Sequence, residues 1–151
     1  TNINRIGAGR LEALRRRLDA EGARERPLWL TVDGTFTNSA ILKNLPDRTV
    51  LIGRIRGDAK LYRLPEPSPA GSPSRGRRRV YGDRAPTPEA YRQDPDTPWE
   101  TASLFAAGKR HLFRYKTLAP LRWRSAGAQH DLRLIVIAPL GYRLRKGSKL
   151  L

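Results

Sequence analysis

The chain has 151 residues, no cysteine and two histidines, His111 and His130. That is enough for one domain with a core, but it excludes a disulfide framework, a thiolate metal site and a histidine-built metal cluster. Thirty basic against fourteen acidic residues give a formal net charge of +16, which points to a polyanionic partner, most often nucleic acid.

With so few histidines and no thiols, a bound metal is expected to sit among carboxylates, which select a hard cation such as magnesium or manganese. No apolar run approaches the ~20 residues of a membrane span, and no secretory apolar core opens the chain. A cytoplasmic protein with no membrane partner is therefore expected. All but six of the basic residues are Arg. Guanidinium groups fork onto phosphates and stack on bases, although Arg-rich codon usage alone gives the same excess. A Thr at position 1 and the apolar Leu150-Leu151 at the other end read as a piece of a longer chain.

The first expected element is a helix over Ala8–Gly22. Leu11, Leu14 and Leu18 recur at helical spacing, with Arg10, Arg15, Arg16 and Arg17 expected to form a solvated face, the alternative being phosphate contact. Next comes LWLTVDGTFTN, Leu28–Asn38. Leu28, Leu30 and Val32 share one side of this strand, Trp29 and Thr31 the other. A strand apolar on both sides is expected inside a sheet covered by helices. It stops at Asp33, followed by Gly34 and small polar residues. Alternating strands and helices present their chemistry at the carboxyl ends of strands. Asp33 is therefore a candidate metal or phosphate ligand; the alternative is a turn aspartate that caps the next helix.

Thr37 or Asn38 can cap a short helix over Ser39–Asn44, which Pro46 ends. Thr49–Arg56 reads as a second buried strand, and strand–helix–strand predicts a parallel pair. Arg54, Arg56, Asp58 and Lys60 would then emerge on the same sheet edge as Asp33. Leu64–Arg79 is rich in Pro, Ser and Gly and ends in Arg77-Arg78-Arg79. It reads as a linker whose arginines either grip phosphates or are simply solvated. Within Pro86–Pro98, Thr87-Pro88-Glu89 can start one helical turn, and Glu89, Asp94 and Asp96 carry no evident chemistry.

From Lys109 the period becomes two. His111, Phe113 and Tyr115 alternate with Leu112, Arg114 and Lys116, then Ala126–Asp131 forms a turn before the apolar strand Leu132–Ala138. Antiparallel β structure with one basic face is expected. His111 and His130 read as structural or surface groups, and Trp123 as a core residue rather than a base-stacking one.

DGTFTNS resembles part of the phosphoaspartyl hydrolase signature, but Thr31 stands where that family needs its nucleophilic carboxylate. A wider resemblance runs from about Leu28 to the end. VDGTFTN, ILKNLPDRTVLIGRIRGDAKLY, GRRRVYGDRAPTPE and LRLIVIAPLGYRLRKGSKLL, in that order and spacing, resemble insertion-sequence transposases of the DDE type. The resemblance implies an α/β, partial ribonuclease H-like fold with a mostly β insertion. Residues 1–63 would belong to the catalytic core, 64–100 to a linker or loop, and 101–151 to a β-rich insertion truncated at its C-terminal end.

In such enzymes three carboxylates bind two magnesium ions, manganese being an alternative. Asp33 matches the second of the three, and Arg54, Arg56 and Lys60 match a basic segment near the transposon end. The first Asp and last Glu have no counterpart here: Asp19 and Glu100 do not occupy those positions. The resemblance implies hydrolysis of a phosphodiester by metal-bound water, then attack of the freed 3′ hydroxyl on target DNA. The implied partner is double-stranded DNA, as transposon ends and target, bound by a homodimer in a prokaryotic, nucleoid-associated setting. The 151 residues alone are expected not to cut DNA. A non-enzymatic basic nucleic-acid-binding module and a decayed element without function are the competing expectations.

Overall fold

In the computed structural model, which describes residues 3–67 and 76–139, the chain is mixed α/β with open sheets. The elements are α1 (Ile3–Ala20), β1 (Leu28–Val32), α2 (Ser39–Leu42), β2 (Thr49–Gly53), β3 (Leu61–Arg63), α3 (Pro88–Gln93), β4 (Glu100–Ala106), β5 (Lys109–Trp123), a 3-10 turn (Arg124–Ala126) and β6 (Gly127–Pro139). They form two compact units. One runs to Arg56 and includes Trp123–His130; the other begins at Gly57, runs to Arg122 and resumes at Asp131. Positions 68–75 of the expected linker, and the last twelve residues of the expected insertion, lie outside the described residues. Among the described residues no helix is long and apolar enough to cross a membrane.

In the first unit, α1 starts at Ile3 rather than Ala8 and ends before Gly22. Gly7 and Gly9 argue against a helix by propensity, yet Gly7 serves packing. A Cβ there would lie 3.2 Å from Ile41 Cδ1, so its absence lets α1 approach α2. Arg15 is not on a solvated face. It is 4% exposed, and its guanidinium donates to Asp19 Oδ1 (2.9 Å), Arg26 O (2.8 Å) and Ala23 O (2.9 Å). It therefore ties the loop after α1 back onto the helix.

Strands β1 and β2 pair in parallel, from Leu28↔Thr49 to Val32↔Gly53, as the strand–helix–strand pattern requires. The strand after α2 ends at Gly53 rather than Arg56, and α2 itself is one short turn. Asn38 Oδ1 accepts the N–H groups of Ala40 (3.0 Å) and Ile41 (3.3 Å) at its start. Ile41, Leu42 and Ala126 are the buried apolar residues of this unit. The expectation of a strand pair covered on both faces is corrected. Trp29 (65% exposed), Val50 and Ile52 share one face by register and stand open among the described residues. An unbroken apolar run shows that a strand has two apolar sides, but not that both are covered.

In the second unit the order is β3-β5-β4, with β6 also paired to β5. Antiparallel pairing of β4 with β5 runs from Glu100↔Tyr115 to Ala106↔Lys109. The hairpin turns at Ala107 (φ 49°) and Gly108 (φ 74°), the two positive φ values of a tight hairpin turn that matches strand twist. Leu61, Ala85, Tyr91, Leu121, Leu134 and Ala138 are buried. Thr87 caps α3 by accepting from Ala90 N (3.1 Å), with Pro88 in its first turn. The expected turn over Ala126–Asp131 is also corrected: the reversal falls at Arg124–Ala126, and β6 begins at Gly127. Polar Gln129, His130 and Asp131 look like loop residues, but they are carried on a strand.

The basic face expected on β5 is absent at its centre. Lys116 is 2% exposed and donates to the carbonyls of Tyr91 (3.3 Å), Arg92 (3.4 Å) and Asp94 (2.6 Å). Its amine and the Arg114 guanidinium lie 4.9 Å and 4.7 Å from the Trp99 ring centre. Both cations serve packing, one of them by satisfying the orphan carbonyls at the end of a helix.

Candidate functional site

Asp33 follows the last residue of β1, and Arg54 follows the last residue of β2. Because the pair is parallel and Val32 faces Gly53, both leave the sheet at the same edge. Gly53 makes this edge compact: the Thr37 hydroxyl occupies the space a Cβ at Gly53 would need. At Gly34 a Cβ would stand 3.7 Å from the Arg54 carbonyl oxygen, an ordinary contact. A side chain at Gly53 would push the Asp33 loop away from the end of β2.

The loop is held by its own polar groups. Asp33 Oδ1 accepts from the N–H groups of Thr35 (2.8 Å) and Phe36 (3.3 Å). The Thr37 hydroxyl donates to the Asp33 carbonyl (2.9 Å), and Asn38 Nδ2 donates to Thr35 O (2.6 Å). This satisfies the turn-capping alternative for Asp33 with one carboxylate oxygen. Among the described residues no ion pair engages the side chain, which is exposed. One carboxylate oxygen of Asp33 thus shapes the turn, as the turn-capping alternative requires.

Arg54 and Arg56 are exposed beyond the end of β2. Lys60 and Arg77–Arg79 belong to the second unit and are also exposed; of these, Arg79 pairs with Asp83 at 2.9 Å. Among the described residues no three His, Cys, Asp or Glu side chains gather in one place. Asp33 does not make a two-metal centre by itself.

The surface clefts of the first unit lie elsewhere. One is lined by Ala8, Gly9, Glu12, Ala40 and Asn44; the other gathers Lys43, Arg48, Gln129 and His130. The second joins the segment Lys43–Thr49, Asp47 included, to Gln129 and His130, and the return of β6 to this unit brings His130 there. Nothing in the local pattern around His130 signals it.

Three acids of the second unit hold local contacts. Arg92 donates to Glu89 at 2.6 Å and holds that carboxyl below its ordinary value, against a smaller opposing effect of burial. The Thr97 hydroxyl (2.6 Å) and Asp96 N–H (3.0 Å) do the same for Asp94. The Tyr115 hydroxyl donates to Glu100 (2.7 Å), which raises the phenol above its ordinary value. No protein-family model matches this chain, and no curated protein or solved structure matches it.

Proposed function

We propose that these residues are part of a DDE-type DNA transposase with a ribonuclease H-like core, in which Asp33 is one of three carboxylate ligands for magnesium or manganese. The observation that carries this reading is the exposed carboxylate at the carboxyl end of a parallel strand, on the sheet edge where Arg54 also emerges. An acid to hold a cation, beside bases to hold phosphate, is the pairing phosphoryl transfer uses. An open site suits a polymer, which needs no enclosing pocket. The remaining two carboxylates lie outside residues 1–151 in this reading, and strand cleavage belongs to the complete reading frame. Within these residues, Arg54, Arg56, Lys60 and Arg77–Arg79 are the groups assigned to double-stranded DNA, and Asp33 to the cation.

The net charge supports a second reading, a basic module that binds nucleic acid without cutting it. Both readings expect affinity that falls steeply with salt, so binding does not separate them. Changing Asp33 in the complete reading frame does: the transposase reading expects loss of strand cleavage with DNA affinity retained, and cleavage that persists refutes it.

A further inference from the structure

The chain carries no acidic residue from Thr101 to His130. The β4–β5 hairpin falls in this stretch, with its single acid, Glu100, at the base. Its far half is exposed and built of two kinds of side chain. Phe105 is 72% exposed, and Leu104 and Leu112 about half exposed. Lys109 and Arg110 flank the turn. Phe105 and Arg110 are register partners and so share one face of the ribbon, which also carries Ser103 and Leu112. Arg110 donates to the Ser103 hydroxyl (3.1 Å), which orients the guanidinium without neutralising it. Among the described residues neither Lys109 nor Arg110 has a carboxylate partner. A bare apolar and aromatic tip is costly to leave in water, and its unneutralised positive charge argues against another basic copy of this chain as its cover.

We propose that the tip of the β4–β5 hairpin enters the major groove of a DNA duplex. Lys109 and Arg110 lie on phosphates, and Phe105 on base edges. The dimensions agree: seven residues of β4 span about 24 Å, and a two-stranded ribbon fits a groove roughly 12 Å wide. Phe contacts the thymine methyl through apolar surface. The inference rests on DNA being the partner, but not on Asp33 chemistry. The tip residues are not among the basic residues assigned above.

The test uses the full chain and fluorescence anisotropy on a short DNA duplex, between about 50 and 200 mM salt. Lys109→Ala/Arg110→Ala should flatten the slope of log affinity against log salt by about 1.8, two phosphates at about 0.9 each. Phe105→Ala should weaken binding at least about fivefold and leave the slope unchanged. If both variants bind as wild type does, the hairpin is not a contact, while DNA as partner stands. If the wild-type chain does not bind DNA, both fail. Equal losses on an A-form RNA duplex, whose deep groove a ribbon cannot read, overturn the major-groove docking. A photocrosslinking phenylalanine analogue at position 105 gives a readout independent of affinity and stability. Attachment to the duplex supports the inference; attachment to a second protein chain overturns it.

Discussion

Replacing Asp33 separates the two uses of its carboxylate. Asp33→Ala removes the acceptor for the Thr35 and Phe36 N–H groups. Both are exposed, so the net cost to stability is about 1 kcal/mol. Asp33→Asn retains an oxygen acceptor in the Oδ1 position but no negative charge. It should stay within about 0.5 kcal/mol of wild type, because the turn is kept and only charge assistance is lost. Thermal melts of the chain measure both. In the complete reading frame, both variants should lose more than about 100-fold in metal-dependent cleavage, since even residues behind a metal ligand are worth 10–100-fold. DNA affinity should remain within about twofold. The discriminating variant is Asn, intact in fold and empty of charge. Cleavage by Asp33→Asn at the wild-type rate, or activity that follows the melting temperatures of the two variants, would leave Asp33 as a turn residue and refute the ligand assignment.

Lys116→Met keeps the stem volume but leaves the carbonyls of Tyr91, Arg92 and Asp94 without their shared donor; denaturant unfolding should show a loss of about 1.5–3 kcal/mol. Gly53→Ala drives a methyl into the Thr37 hydroxyl and should cost about 1–3 kcal/mol, with a shifted amide signal for Gly34 in NMR spectra. Acid should weaken the second unit. Glu89 and Asp94 are both held below their ordinary values of 4.5 and 3.8, so their contribution is full above those values and lost as pH falls through the lower folded ones. The Tyr115 shift has the opposite sense: its contribution is present below the ordinary phenol value of 10.0 and lost as pH rises through the higher folded one. Melting temperatures across the two ranges check both signs, and Tyr115→Phe should abolish the alkaline one.

Local chemistry made much of the first unit legible. The alternation around Leu28 and Thr49, the cap at Asn38 and the stop at Pro46 each act within a few residues, so the parallel pair and the placement of Asp33 and Arg54 on one edge follow from the sequence. Arg15 and Lys116 were not legible. Both are buried cations that also bind backbone carbonyls eight to twenty-five positions away, and carbonyls leave no mark on residue identity; the Arg15–Asp19 pair at i, i+4 is equally compatible with a surface pair. Each therefore looked like a solvated base. The hairpin was partly legible: a period of two marks β5 from Lys109, whereas β4 was not singled out as a strand, and the exposure of Phe105 depends on nothing being packed over it, which no local pattern records. The cleft beside His130 fails for a related reason, since it is assembled from segments more than eighty residues apart.

The cage around Lys116 also sorts the lysines chemically. Among the described residues Lys43, Lys60 and Lys109 are exposed, whereas Lys116 is buried while α3 stays docked. Acylation of that one amine thus counts the moments when the helix lifts away, and the chain carries its own built-in clock for local opening.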